Sequence, residues 1–247
     1  MKEILIEKLG LGWYNQLKPF LESEEFTKLN EFIRRRRSAV AVYPESDNVL
    51  KAFKMTPFEE VRVVLLGMDP YPNPNEAIGL SFGINWQKVR TIPPSLRNIH
   101  QELEKDLNVL ALDFDYSLEH WAKQGVLLLN TALTVEHKSP SSHISQWAPF
   151  NTQVFKALNN LNGIIYILLG REAQKFESMI NAKSNYIIKA PHPAAESYQG
   201  GNAGFFGSKI FSRTNEFIKG QNGADYTINW SGLSEVEVSD DGLYDPF

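Results

Sequence analysis

At 247 residues, 43% hydrophobic and 22% charged, the chain has the make-up of an ordinary globular protein and can bury a sizeable core. It has no cysteine, which excludes disulfides, thiolate nucleophiles and Cys-ligated zinc or iron–sulfur centres, and its five histidines are scattered without ligand-like pairing. The net charge of −4 argues against a polyanionic partner, yet Glu235–Phe247 holds five acids and no base, leaving 25 bases against 24 acids elsewhere. A neutral body can still carry a basic groove.

In chain order, the first forty residues read as helical, with Phe26, Leu29, Phe32 and Ile33 on one face. That segment ends in Arg34–Arg37, which suggests a phosphate-binding patch; the favoured alternative is a solvated helix end whose cations oppose the dipole. Four apolar runs follow: VRVVLLG (61–67), VLLLN (126–130), IIYILLG (164–170) and YIIKA (186–190). Their lack of alternation marks strands buried on both faces. Helices are predicted between them at Pro94–Leu103, Leu118–Gln124, Phe150–Leu161 and Glu172–Ile180. The pattern is that of a single α/β domain with a four-stranded parallel sheet flanked by helices, spanning 1–230, and an acidic, flexible tail over 231–247. No apolar run approaches the ~18 residues of a membrane span. The start, MKEILIEKLGLGWYNQ, lacks a signal-peptide core, so a cytoplasmic protein is expected.

In open parallel sheets, ligands bind outside the carboxyl ends of the strands. There the sequence places Asp69 and Tyr71 after the first strand, Asn130 at the end of the second and His192 after the fourth. Each has an ordinary reading: Asp before Pro makes turns, Asn caps helices, and a lone His is more often structural. Convergence of an acid, an amide and an imidazole at one sheet edge is the more informative observation.

GMDPYPNPNEAIGLSF (67–82), LLLNTALTV (127–135) and APHPAAES (190–197), in this order, resemble the three active-site motifs of family 1 uracil-DNA glycosylases. The flanks VYPESDNVLKAFKMTPFEEVRVVLLG, IPPSLRNIHQELEKD, GFFGSKIFSRTNEF and TINW agree, so the resemblance covers roughly residues 10–230. It implies an α/β fold of that type and a monofunctional DNA repair enzyme. Such an enzyme flips uracil out of DNA and hydrolyses its N-glycosidic bond, without metal or cofactor. It also implies roles. Asp69 would position water and stabilise the cationic sugar, and His192 would donate to uracil O2. Asn130 would read the base edge, Tyr71 would exclude a C5 methyl, and Phe82 would be the stacking floor, with Met68 beside them. Pro93, Pro94 and Ser95 would pinch DNA phosphates, Ser95 also being able to cap the next helix, and Ser197 would contact phosphate. DNA, single- or double-stranded, is the implied partner of a monomer, with a replication protein as a second partner by analogy with poxvirus relatives.

The chain departs from the family pattern in places. Met68 stands where Gln is usual and Pro72 where His is usual. Glu196 occupies the DNA-facing place of the leucine that fills the hole left by the flipped base, and about three extra residues follow it. Poxvirus uracil-DNA glycosylases show a similar aliphatic-Asp-Pro-Tyr-Pro and His-Pro-Ala-Ala pairing. Tyr198 or Gln199 is expected to replace the leucine as wedge; the alternative is that the Gly-rich loop ESYQGGNAG is disordered in the free protein. Two other functions fit less well: a glycosylase retuned to a modified pyrimidine, which Tyr71 and Asn130 oppose, and a DNA-binding accessory protein that has kept the fold.

Overall fold

The computed structural model describes residues 2–222 and 226–232; the acidic tail beyond Gly232 lies outside them. The N-terminal region forms α1 (Lys2–Leu9), α2 (Leu11–Leu21) and α3 (Glu24–Ala39). Ser23 caps α3 by accepting the Phe26 N–H at 3.2 Å, and Glu24 and Glu25 oppose the positive pole of its dipole. The arginine run at its end is half structural. Arg36 pairs with both oxygens of Glu136 (2.5 and 2.9 Å), and Arg37 donates to the carbonyls of Val42 and Pro44.

Next come β1 (Val42–Tyr43), α4 (Lys51–Met55), β2 (Val63–Gly67), α5 (Pro94–Leu107), α6 (Glu119–Ala122), β3 (Val126–Asn130) and β4 (Val135–Glu136). The chain continues through α7 (Ile144–Leu158), β5 (Ile165–Leu169), α8 (Arg171–Gln174), β6 (Tyr186–Ala190), α9 (Ala195–Tyr198) and α10 (Ile210–Asn222). Strands β3-β2-β5-β6 form the parallel sheet, and β1 and β4 form a separate antiparallel pair. The four predicted strands are all present. β2, β3 and β5 are buried along their whole length, where each apolar side chain contributes roughly 1.5–3 kcal/mol. Edge strand β6 carries the exposed Lys189, which discourages pairing with another chain.

α5 runs one turn beyond the predicted Leu103 and α6 is shorter than predicted at both ends, and two further helices differ more. α7 begins at Ile144 rather than Phe150 and keeps Pro149 inside it; the lost backbone hydrogen bond is offset by burial of Trp147, Phe150 and Val154. The predicted 172–180 helix splits into α8 and a 3-10 turn, Lys175–Met179, which brings Phe176 to 5.2 Å from Phe155. Segment 226–232 is fastened by Trp230, which packs edge-on against Trp121 (5.1 Å) and accepts its indole N–H through the backbone carbonyl. No helix among the described residues is long and apolar enough to cross a membrane.

Candidate active site

The sheet order reverses around β2, because the chain moves from β2 to β3 on one side and then crosses to β5 on the other. This puts a crevice at the carboxyl ends of the strands. Two glycines let side chains from flanking strands lean into it. Gly67 is in register with Asn130, and a Cβ at Gly67 would lie 2.4 Å from Asn130 Oδ1. Gly170 follows β5 with φ +87°, and a Cβ there would lie 2.8 Å from His192 Cβ. So Asn130 leans onto β2 from one side, and His192 crosses the end of β5 from the other. Gly170→Ala should therefore destabilise the fold by about 1–3 kcal/mol through backbone strain. It should also lower activity, because the added methyl group displaces His192. Thermal melts and single-turnover rates check this.

The crevice is a cleft of about 480 Å3, lined by Met68, Asp69, Tyr71, Phe82, Pro93, Pro94, Ser95, Asn130, His192 and Tyr198 among others. The structure thus gathers most of the sequence-predicted site. Asp69 is partly buried, and its Oδ2 accepts the Ser141 N–H at 2.6 Å. Burial pushes its carboxyl above the usual range, and the Ser141 N–H partly counters this. Asn130 is 7% exposed and its amide has no protein hydrogen-bond partner among the described residues. Its position is fixed through its neighbour: Thr131 donates N–H to Gly67 (3.0 Å) and its hydroxyl to the Met68 carbonyl (2.6 Å). Thr131 in turn offers its carbonyl to the buried Asn151 amide.

His192 Nδ1 accepts the Ala194 N–H at 3.2 Å, so the neutral ring carries its proton on Nε2. Burial lowers the pKa of this imidazole and favours that neutral form. Phe82 holds a left-handed backbone (φ 63°) unusual for a bulky residue, and its ring centroid is 5.9 Å from that of His192. The Tyr71 hydroxyl donates to the Phe82 carbonyl (3.2 Å) and meets Ser95 Oγ at 2.9 Å, which locks the ring in place. Desolvation keeps this phenol protonated by raising its pKa strongly.

Two expectations need correction. Ser95 does not cap α5: the N-cap is Pro93, and the Ser95 hydroxyl is buried against Tyr71. Glu196 does not project from the surface as a wedge would. It is 2% exposed and points into its own loop, accepting N–H groups from Ala203 (2.9 Å), Phe205 (2.5 Å) and Phe206 (2.9 Å). Desolvation would raise its pKa, but these donors outweigh it and hold the carboxyl below its usual value. The reason is local supply: the lengthened loop leaves N–H groups unpaired, and a buried acceptor satisfies them. Two further acids continue the pattern on α5, Glu102 for Gly207 and Lys209, and Asp106 for Phe211 and Ser212.

Tyr198, the last residue of α9, is 81% exposed at the cleft rim, whereas Gln199 lines a neighbouring cleft on the far side of His192. Ser197 is exposed, its Oγ accepting from Asn98 Nδ2 at 3.0 Å. Sequence reasoning missed Ser141, the two glycines and the Glu102–Asp106 pair. The i,i+4 spacing of those acids opposite a Gly-rich segment is the signal that could have found the pair.

A carboxylate, an amide without a protein partner among the described residues and a neutral imidazole thus meet in one cleft of an α/β protein, beside the Phe82 ring. The family model of the uracil DNA glycosylase superfamily matches residues 53–219, and the chain belongs to that superfamily. It is 42% identical over 226 residues to a uracil-DNA glycosylase of Acinetobacter baumannii, covering 90% of this chain and 92% of that one. It is 40% identical over 228 residues to one of Shouchella clausii, covering 92% and 95%. Among solved structures, mimivirus uracil-DNA glycosylase superposes with a TM-score of 0.79 at 23% identity, covering 93% of this chain and 89% of that one, which confirms the fold.

Proposed function

We propose that the protein excises uracil from DNA, hydrolysing the N-glycosidic bond and leaving an abasic site. The observation that carries this reading is the convergence of Asp69, Asn130 and His192 on one cleft floored by Phe82. A base inside a duplex is out of reach, so the nucleotide must first be extruded. Tyr198, exposed at the rim, fills the gap it leaves. In the pocket the uracil ring lies on Phe82. The Asn130 carbonyl accepts from N3–H and its NH2 donates to O4, a pairing that cytosine reverses.

As the C1′–N1 bond breaks, its electron pair leaves with the base and positive charge gathers on the sugar. Asp69 faces that charge as an anion, orients a water and takes its proton as oxygen bonds to C1′. His192 Nε2–H donates to O2, where the negative charge of the departing base collects. Both groups are fixed before reaction, so their alignment needs no reorganisation. Tyr71, held at its hydroxyl by Phe82 and Ser95, leaves no room for a substituent at C5.

The test is incubation with an end-labelled single strand carrying one uracil, followed by alkali. Wild type should cut at the uracil position. Asn130→Ala should cut it at least tenfold more slowly, while retaining the wild-type melting temperature to within a few degrees. Absence of cutting by the wild type would overturn the reading.

A further inference from the structure

The loop between the Phe82 segment and Pro93 holds an exposed indole that the base pocket does not use. Trp86 is 54% exposed, while the other four tryptophans are at most 2% exposed. The loop is built to present it. Asn85 donates its N–H to the Glu76 carbonyl, and the Lys88 and Val89 N–H groups return to the Asn85 carbonyl. Val89 and Ile92 pack against the core, which leaves Trp86, Lys88 and Arg90 at the surface. The loop joins the cleft wall at Thr91–Pro93, and near its other end Asn85 bonds to Glu76, another residue of that wall.

Charge points the same way. Residues 77–101 contain three bases, Lys88, Arg90 and Arg97, and no acid, in a chain of net charge −4. None of the three forms an ion pair among the described residues. An exposed aromatic flanked by uncompensated cations is the arrangement that binds unpaired nucleic acid, by stacking a base and neutralising its phosphates.

We infer that Trp86, with Lys88 and Arg90, forms a second DNA subsite that stacks an unpaired base of the strand flanking the extracted nucleotide. The inference rests on the DNA-directed activity proposed above. It adds a reason for the enzyme to favour single-stranded over duplex substrate, since only an unpaired flanking base is free to stack.

The experiment compares wild type, Trp86→Ala, Trp86→Phe and Lys88→Ala/Arg90→Ala. Substrates are a long single strand with a central uracil and one trimmed to the uridine and its adjoining phosphates. Trp86→Ala should lower kcat/KM on the long strand about tenfold, through KM, and leave the trimmed substrate unchanged. Trp86→Phe, which keeps a stacking ring, should stay within about threefold of wild type on both. Binding of a uracil-free single strand should quench tryptophan emission in the wild type, and the quench should vanish in Trp86→Phe. The double variant should reduce the slope of log affinity against log salt by roughly 1.4. Unchanged kcat/KM in Trp86→Ala, or no quench on a strand the wild type binds, would overturn the subsite. A wild type that quenches on the strand but releases no uracil would instead overturn the glycosylase reading and leave the subsite standing.

Discussion

Asp69→Asn should lower the single-turnover rate of uracil release about 10³-fold while leaving KM nearly unchanged. The substitution keeps the shape of the side chain and an oxygen for the Ser141 N–H, so it removes only the charge and the basicity. The contacts to the base proposed for Asn130 and Phe82 would remain. The effect on stability should run the other way. Burial raises the Asp69 pKa in the folded state, so the stability it contributes belongs to the protonated form and is lost as pH rises through that pKa. At neutral pH the ionised group opposes folding, and the neutral Asn should melt at the wild-type temperature or above it. In the wild type, the rate should fall as pH drops through the raised Asp69 pKa. His192 adds no limb at higher pH, because its imidazole is already neutral there. A pH–rate profile beside a thermal melt checks both halves; a variant that is slow because it is unfolded would fail the second.

Glu196→Ala should destabilise the protein by about 3 kcal/mol and reduce uracil release from duplex DNA far more than from single strands. Removing the carboxylate leaves the N–H groups of Ala203, Phe205 and Phe206 without their acceptor, and hydrogen bonds to a charged group are worth roughly 1.5–3 kcal/mol each. The loop they hold directly follows Tyr198, the proposed wedge, which would matter only when a partner strand leaves a gap to fill. Glu196→Gln should be intermediate: one oxygen can still accept from Phe205 and Phe206, but the new NH2 opposes the Ala203 N–H. The duplex-to-single-strand rate ratio should fall about tenfold in the Ala variant. The Glu196 pKa is depressed in the folded state, so its contribution to stability is present above the unfolded carboxylate pKa. It disappears as pH falls through the folded value. Wild type should therefore lose its margin over Glu196→Ala in acid, which urea melts across pH 3–7 would follow.

These two residues also mark what the sequence could and could not disclose. Asp69, Asn130 and His192 were legible because each lies at or just past the end of an apolar run, and parallel strands bring such ends together. The strands themselves were legible because β2, β3 and β5 are buried on both faces and so need unbroken Val, Ile and Leu. Glu196 was misread because its place in the motif is that of a DNA-facing leucine, whereas its environment is set by the N–H groups of the inserted loop. Gly67 and Gly170 carry no signal of their own: their role depends on strand register, which brings Asn130 and His192 against them. Ser141 is in the same position, meeting Asp69 only because the turn after β4 folds back over β2. The early start of α7 was hidden by Pro149, whose lost hydrogen bond is tolerated only because the surrounding face is buried.

The central claim is that this cleft selects uracil by its edge and by its bare C5, and it is met most directly by a competition. A single strand carrying one uracil, one cytosine and one thymine at matched positions is incubated with the wild-type protein, and the free bases are identified by mass. Tyr71 and Asn130 predict uracil alone, at a rate at least a hundredfold above the other two. Release of thymine at a comparable rate would contradict the assignment of Tyr71 as the barrier at C5, and release of no base would contradict the account as a whole.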